Sequence, residues 1–108
     1  MVEVGEYVRT KHDGIYKIFH INHTFEDNEY NKVCMCKNSI IGFTSIDEIK
    51  KMKHSKDLRK LIEEDDIVNG QKIKMHSESE TLKIPKNIKT ILTKEQHKAN
   101  YYNVEEEI

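Results

Sequence analysis

Two cysteines and two histidines are the residues of this chain best suited by type to bind a metal ion. Cys34 and Cys36 are separated by one residue, and His20 and His23 lie shortly before them. Zinc sites usually place roughly two to four residues between paired cysteines, and a one-residue gap on a strand splays the sulfur atoms. We therefore predict no metal and interpret both thiols as small buried groups in a core strand.

The remaining polar residues form no catalytic pattern. The six histidines are scattered, and none has a Ser or Asp partner at the spacing of a nucleophilic triad. The four glycines are isolated, so no phosphate-binding loop is indicated. The sequence therefore predicts a non-enzymatic protein without a cofactor. An enzyme would need a polar pocket around His20 or His54, which the sequence does not indicate.

A cluster of cations is the most prominent charge feature. Its six members fall within eleven residues: Lys50, Lys51, Lys53, Lys56, Arg59 and Lys60. Such a cluster can follow a phosphate backbone and give salt-dependent affinity for nucleic acid. Aromatic residues for base stacking are not interleaved with it. The alternative, which the sequence favours, is a solvated helix face balanced by the carboxylates of residues 63–66.

Composition limits the class of protein. The chain has 108 residues, of which 36% are hydrophobic and 34% charged, enough for one domain or two very small ones. A net charge of −1 argues against a DNA mimic and against a polycation that coats nucleic acid. No apolar run approaches the roughly 18–20 residues that span a bilayer, and no signal peptide is evident. With its free thiols, the chain is expected to be cytoplasmic.

Short strands and tight turns are predicted along the whole chain. In the first half the predicted elements are a loop leading into a strand over Val2–Arg9, strands over Ile15–Asn22, Lys32–Cys36 and Ile40–Phe43, and a helical turn capped by Ser45 and Glu48. In the second half they are strands over Ile67–Val68, Lys72–Met75, Thr81–Ile84, Ile88–Leu92 and Tyr101–Val104, with a second capping box at Thr93 and Gln96. Ile15–Asn22 carries apolar residues on both faces, which favours a small curved barrel.

A short helix over residues 55–64 is predicted to join the two halves. Ser55 can cap it, and Leu58, Leu61 and Ile62 recur at helical spacing. The halves also repeat each other. Residues 3–8, EVGEYV, align with residues 63–68, EEDDIV, at an offset of 60, and residues 47–52 align with residues 86–91 at an offset of 39. Such a repeat predicts two similar units.

The segment VGEYVRTKHDGIYKI resembles the opening strand and turn of SH3-like and KOW-type barrels. The stretch IKKMKHSKDLRKLIEEDDIVNGQKI is similar to small uncharacterised phage and prophage proteins of low-GC Gram-positive bacteria. The residues that carry this second likeness are Lys53, His54, Ser55, Asp57, Leu58, Leu61, Ile62, Glu63, Asp66, Ile67, Val68, Asn69 and Gly70. Asp65 stands where that group has glycine. The group supplies no activity that can be carried over.

These observations predict a mainly β protein with short helices, built as two SH3-like β-barrel units in tandem. The predicted parts are a first unit over 1–54, a linking helix over 55–64, a second unit over 65–104 and an acidic tail over 105–108. We expect a phage or prophage accessory protein in the cytoplasm of an infected bacterium, acting as a protein-binding module that inhibits or adapts a host protein. The loop 23–31 and Tyr30, Tyr101 or Tyr102 would carry the contact. The alternative is nucleic-acid binding through the Lys50–Lys60 face.

Overall fold

Two antiparallel sheets and a few short helices make up the computed structural model, which describes residues 2–22, 31–75 and 81–98. The mainly β class with short helices is therefore confirmed. The strands are β1 (Tyr7–Arg9), β2 (Ile15–Asn22), β3 (Lys32–Lys37), β4 (Ile40–Ser45), β5 (Lys53–Ser55), β6 (Ile67–Val68), β7 (Gln71–Lys72) and β8 (Ile91–Leu92). The helical segments are α1 (Ile46–Lys50), a 3₁₀ helix (Leu58–Leu61) and α2 (residues 94–98).

The chain divides into two compact units, each of which includes some residues outside the described ranges. The first consists of Met1–Thr10 with Ile15–Leu61, and the second of Lys11–Gly14 with Ile62–Ile108. Where the sequence predicts a helix over 55–64, the structure has only the four-residue 3₁₀ helix. Ser55 ends β5, its Oγ accepts from the Asp57 amide at 3.0 Å, and Asp57 Oδ1 accepts from the Arg59 amide at 3.1 Å. These local bonds hold the backbone in turns until Leu58.

The first unit is a five-stranded sheet in the order β4-β3-β2-β1-β5. Its core side chains come from the strands and from α1: Val2, Val8, Tyr16, Ile18, Ile21, Val33, Met35, Ile46 and Ile49. Ser45 caps α1 as predicted, because its Oγ accepts from the Glu48 amide at 3.3 Å. Through that cap, the chain leaves β4 and immediately buries Ile46 and Ile49 against the sheet.

A bulge in β2 changes the predicted alternation of its side chains. The register between β2 and β3 shifts between Ile18 and His20, so Phe19 and His20 are both exposed and Ile21 returns to the core. The sequence pattern instead placed Phe19 on the same face as Ile21. The extra residue of a bulge cannot be read from period-two alternation, since pairing with another strand decides where it falls.

The second unit is a smaller sheet in the order β7-β6-β8. The predicted Asn69-Gly70 turn is confirmed, with φ of 53° and 79° at the two residues, values that Asn and Gly tolerate. Its core holds Ile62, Val68 and Ile73, with Leu82, Ile84, Ile88 and Ile91 packed partly against them. The strands are shorter than predicted, and residues 81–84 contribute only the bridge between Met75 and Leu82. Residues 101–104, predicted as a strand, lie outside the described ranges.

The first unit opens with a turn that its side chains stabilise. The Glu3 amide donates to Glu6 Oε2 at 2.6 Å, and the Glu6 amide donates to the Glu3 carbonyl at 3.3 Å. The Gly5 amide donates to the Ile18 carbonyl at 2.9 Å, and the Ile18 amide returns a bond to the Glu6 carbonyl at 2.8 Å. Gly5 has a φ of 95°, and Val8, two residues after Glu6, is fully buried.

The second unit opens with equivalent bonds: its turn residues lie 60 positions later, and Ile73, the counterpart of Ile18, lies 55 positions later. Glu63 N donates to Asp66 Oδ2 at 2.8 Å, and Asp66 N to the Glu63 carbonyl at 3.2 Å. Asp65 N donates to the Ile73 carbonyl at 2.9 Å, and Ile73 N to the Asp66 carbonyl at 2.7 Å. Asp65 has a φ of 76°, and Val68 is fully buried. We call residues 3–8 and 63–68 the opening motif of each unit.

The strand that pairs with the opening motif sets a second correspondence between the units. In the first unit Val8 lies opposite His54, and in the second Val68 lies opposite Ile91. By strand register, β8 therefore corresponds to β5 at an offset of 37 residues. The sequence alignment of residues 47–52 with residues 86–91 instead has an offset of 39 residues. Short apolar segments align by chance at several offsets, and only strand pairing distinguishes them.

Candidate functional site

Large apolar side chains are exposed on β2 and β4 of the first unit. Phe19 is 48% exposed, Ile41 59% and Phe43 61%. Next to them, Ile40 is 52% exposed at the start of β4. Isolated apolar residues are common on protein surfaces, whereas a group of them on one sheet is a candidate interaction surface.

The strand register places Phe19, Ile41 and Phe43 on one face of the sheet, whereas Ile40 lies opposite Lys37 on the other. Residues directly opposite in antiparallel strands share a face. Cys34 lies opposite both His20 and Phe43. The next row on that face pairs Cys36 with Lys17 and with Ile41, and Phe19, two residues after Lys17 on the same strand, is exposed on the same side. We call this side, which points away from the core cluster, the outer face.

The inner side of β4 contributes little to the core. Gly42 lies opposite Met35, and a Cβ added at Gly42 would lie 3.5 Å from Met35 Cε and 3.6 Å from Tyr16 Cε2. That position is therefore next to the core but has no side chain with which to fill it. The large apolar groups of the strand, Ile41 and Phe43, lie instead on the outer face.

The charge on these strands has one sign. β2, β3 and β4 contain Lys17, Lys32 and Lys37 and no Asp or Glu. The Lys32 ammonium lies 4.3 Å from the centroid of the Phe43 ring, within the range of a cation–π contact. Lys17 similarly lies 5.6 Å from the ring centroid of Tyr7, its partner on β1. The outer face thus combines exposed aromatic and aliphatic groups with positive charge.

The predicted basic face is distributed over several elements. Lys50 lies in α1, Lys53 in β5, and Arg59 and Lys60 in the 3₁₀ helix, so the six cations do not share one helix face. The remaining two, Lys51 and Lys56, lie between these elements. The predicted binding residues Tyr30, Tyr101 and Tyr102 lie outside the described ranges.

Nearby carboxylates partly neutralise this basic cluster. Lys51 Nζ lies 3.3 Å from Glu48 Oε1 and 3.6 Å from Asp47 Oδ2, and the hydrogen bond to Glu48 raises the pKa of Lys51. Lys56 is paired with Glu3, which raises the pKa of Lys56 and lowers that of Glu3. These ion pairs reduce the charge that the cluster can offer to a phosphate backbone.

The thiols are not in the core. Cys34 and Cys36 are half-buried and belong to the outer face, and Met35 between them is the residue that enters the core. The prediction that both thiols are buried in the core was therefore wrong, because they lie on the opposite face of the strand. Within residues 2–22, 31–75 and 81–98, no three His, Cys, Asp or Glu side chains are grouped to hold a metal ion. His23 lies outside those ranges.

His54 and Glu6 form a partly buried polar pair. His54 Nδ1 lies 2.9 Å from Glu6 Oε1, and the other oxygen of that carboxylate accepts from the Glu3 amide. Nearby on β1, the buried guanidinium of Arg9 donates from Nη1 to the Leu61 carbonyl at 2.9 Å. These bonds connect the opening motif and β1 to β5 and the 3₁₀ helix, so their geometry serves to hold the unit together.

Sequence reasoning missed Phe19, Ile41 and Phe43 as site residues. The signal was present in β2, whose apolar residues on both faces were attributed to barrel curvature. For β4, the tetrad Ile40-Ile41-Gly42-Phe43 showed no alternation that would separate an inner from an outer face. A strand with glycine at its core-facing position and large apolar residues beside it is the pattern that could have indicated this surface.

No helix among the described residues has the length and hydropathy needed to cross a membrane. Comparison with protein-family models, with curated proteins and with solved structures finds no match to this chain. The site must therefore be interpreted from its own geometry.

Proposed function

We propose that this chain is a non-enzymatic binding module whose first unit holds a partner protein on the outer face. The observation that carries the proposal is the exposure of Phe19, Ile41 and Phe43 on one side of a sheet. Burying a large apolar side chain fully contributes about 1.5–3 kcal/mol, so this surface gains free energy when a partner covers it. Aromatic groups are also enriched at protein interfaces.

The architecture supports two SH3-like units as part of the same proposal. In the first unit β1 lies between β2 and β5, and a short helix separates β4 from β5, as in small SH3-like sheets. The opening motif recurs in the second unit with equivalent hydrogen bonds. The likeness to phage and prophage proteins supports a role as an accessory protein that inhibits or adapts a host protein in the bacterial cytoplasm.

Matched surface variants test the proposal. Phe43→Lys changes the outer face, whereas Val4→Lys changes an apolar residue of similar exposure that lies outside β2, β3 and β4. The chain and both variants are immobilised and exposed to nuclease-treated lysate of a low-GC Gram-positive bacterium, and captured proteins are quantified. We expect one protein to be retained by the chain and by the Val4 variant and to be reduced about tenfold or more by Phe43→Lys. Equal capture by all three would contradict the proposal.

Nucleic-acid binding through the Lys50–Lys60 face is the alternative. It is tested by fluorescence anisotropy with labelled single-stranded and duplex DNA at increasing salt. Affinity that falls steeply with salt and is lost on changing Lys51, Lys53 and Arg59 to Glu would favour this alternative. No affinity at low salt would remove it. Phe43→Lys adds positive charge and should not weaken such binding, so the variants separate the two functions.

A further inference from the structure

We infer that the partner is held by β-strand addition: an extended, acidic segment of another protein pairs with the free edge of β4. This inference rests on the proposed binding function and specifies its geometry and the chemistry of the partner. Its basis is the position of β4, the outermost strand on one side of the five-stranded sheet. In the described part of the chain, no strand pairs with its outer edge.

The hairpin between β3 and β4 determines which main-chain groups of β4 are available. Lys37 lies opposite Ile40 across the two-residue turn formed by Asn38 and Ser39, and the pairing continues without a shift to Lys32 and Ser45. The pair that flanks a two-residue turn is hydrogen-bonded, and hydrogen-bonded pairs alternate with non-bonded ones. Ile40, Gly42 and Thr44 therefore bond to β3.

The alternation directs the N–H and C=O groups of Ile41 and Phe43 away from β3, toward the free edge. These are the same two residues whose side chains are the most exposed of the large apolar groups on the outer face. One added strand would satisfy their main-chain groups and cover their side chains together. Strand addition derives affinity from the first of these contacts and specificity from the second.

The edge lacks the features with which proteins usually block such pairing. β4 has the sequence IIGFTS and contains no Lys, no other charged residue and no Pro, and its register with β3 shows no bulge. Edge strands are normally protected by at least one of these devices. An unprotected edge six residues long fits a strand that is covered by a partner.

Charge identifies an acidic partner rather than a second copy of this chain. β2, β3 and β4 carry three lysines and no carboxylate, so two copies joined at β4 would bring sheets of the same charge together. A partner residue opposite Ser45 would share the outer face with Lys32, which pairs with Ser45 and lies one strand farther away, about 10 Å between Cα atoms. The segment that fits best places small apolar residues opposite Ile41 and Phe43 and an acidic residue opposite Ser45.

A designed peptide tests this arrangement. The probe is the acetylated and amidated peptide Glu-Thr-Val-Thr-Val-Thr-Glu, whose two Glu residues allow either strand direction. Binding is followed by ¹⁵N-resolved NMR, with amide hydrogen exchange at Ile41 and Phe43. We expect the peptide to slow exchange at both amides. Replacing both Glu by Lys should weaken binding about tenfold, and N-methylation of the two Val amides should abolish it, because the bonds to β4 are lost.

Protein variants separate this inference from the proposed function. Ile41→Pro removes one outward N–H and leaves the bonds to β3 intact, since proline is tolerated at a solvent-facing edge position. It should abolish peptide binding, whereas Ile41→Thr, which keeps the N–H, should retain it in part. If N-methylated and unmodified peptides bind equally and both are lost in Phe43→Lys, the outer face binds partners but strand addition is wrong. Absence of binding by every peptide also overturns the inference.

A separate measurement tests whether a second copy of this chain, and not an acidic partner, covers the edge of β4. Sedimentation of the chain alone at increasing concentration reports whether it self-associates. A concentration-dependent dimer in which the Ile41 and Phe43 amides are protected without peptide would overturn the acidic partner in favour of a second copy. A monomer whose two amides exchange rapidly and become protected only with the Glu peptide is the expected result.

Discussion

In the first unit the opening motif leads into a sheet of five strands, whereas in the second it leads into a described sheet of three strands of two residues each. The turn after the motif is also shorter in the second unit, where Asn69 and Gly70 alone connect β6 to β7. The comparison shows that the motif specifies how a unit begins and leaves the extent of its sheet to the rest of the sequence.

The β3–β4 hairpin is the largest difference between the units. It follows β2 in the first unit, whereas the described residues after β7 form one antiparallel bridge, between Met75 and Leu82, and no pair of strands of that length. That hairpin carries Ile41 and Phe43, on which the proposed function depends, and the free edge on which strand addition depends. The shared motif therefore serves stability in both units, and the candidate binding surface lies on a part of the first unit that has no counterpart among the described residues of the second.

The largest expected effect compares equivalent core positions of the two units. Ile18 is fully buried in a cluster of nine buried residues, whereas the equivalent Ile73 lies in a cluster of three buried residues that is surrounded by partly buried side chains. We expect Ile18→Ala to lower the free energy of unfolding by about 4 kcal/mol and Ile73→Ala by about 2 kcal/mol. Denaturant unfolding measures both, with the Ile→Val variants as controls. A larger loss at Ile73 would contradict the comparison.

The next effect concerns the acidic residue of the motif. Asp66 is fully buried and accepts from the amides of Glu63 and Lys94, so Asp66→Ala leaves main-chain donors without a partner. We expect a loss of about 3 kcal/mol in unfolding free energy, and about 2 kcal/mol for Glu6→Ala, whose carboxylate is slightly exposed. Asp66→Asn and Glu6→Gln keep an acceptor oxygen and should lose less. Equal stability of Ala and amide variants at either position would show that these bonds do not hold the turn.

Smaller effects, of opposite sign in the two units, are expected on changing the positive-φ residue of each opening motif. Gly5 and Asp65 both have positive φ, and a Cβ at Gly5 would meet nothing within 4 Å, so any cost there comes from the backbone alone. Gly5→Ala should destabilise and Asp65→Gly should stabilise, each by about 1 kcal/mol. Thermal unfolding of both variants measures this. Asp65→Asn is the matched control, since Asn tolerates the same conformation. Destabilisation by Asp65→Gly would mean that its ion pairs outweigh the strain.

The smallest effect is the acid dependence that Asp65 adds to the second unit. A hydrogen bond from Lys74, 3.2 Å away, lowers the pKa of Asp65 below its ordinary value of 3.8. Because the folded-state pKa is lowered, the pair stabilises the fold above pH 3.8, and this contribution is lost as the pH falls through the folded-state pKa. The pair is exposed, so the effect is small and salt-sensitive. Between about pH 5 and pH 2, the free energy of unfolding should fall less steeply in Asp65→Asn than in the unaltered chain. Identical slopes would contradict a stabilising role for the Asp65–Lys74 pair.

Local features of the fold were predictable from the sequence. The Asn69-Gly70 turn and the Ser45 cap formed as predicted, and Thr93 and Gln96 exchange bonds in both directions, with Thr93 N donating to Gln96 Oε1 at 3.0 Å. Each of these features needs only residues within three positions of one another. The interactions that stabilise them therefore lie within a short segment, so the residue types of that segment are enough to predict them.

Non-local features were not predictable. The bulge after Ile18, the exposure of Phe19 and the edge position of β4 all depend on which strands pair and in which register. Likewise, the six cations of the predicted basic face do not share one helix, because Lys53 lies in a strand and Arg59 in a 3₁₀ helix.

By itself the sequence determined a β-rich chain with two similar beginnings, since bend residues, caps and acid-to-amide bonds act over a few positions. Only the tertiary structure decided which apolar residues became core and which became surface. Ile18 and Phe19 are neighbours of similar hydrophobicity, yet one is fully buried and the other is half exposed. That difference comes from pairing with β3, a contact between segments far apart in the sequence, and it places the candidate binding surface on β2 and β4.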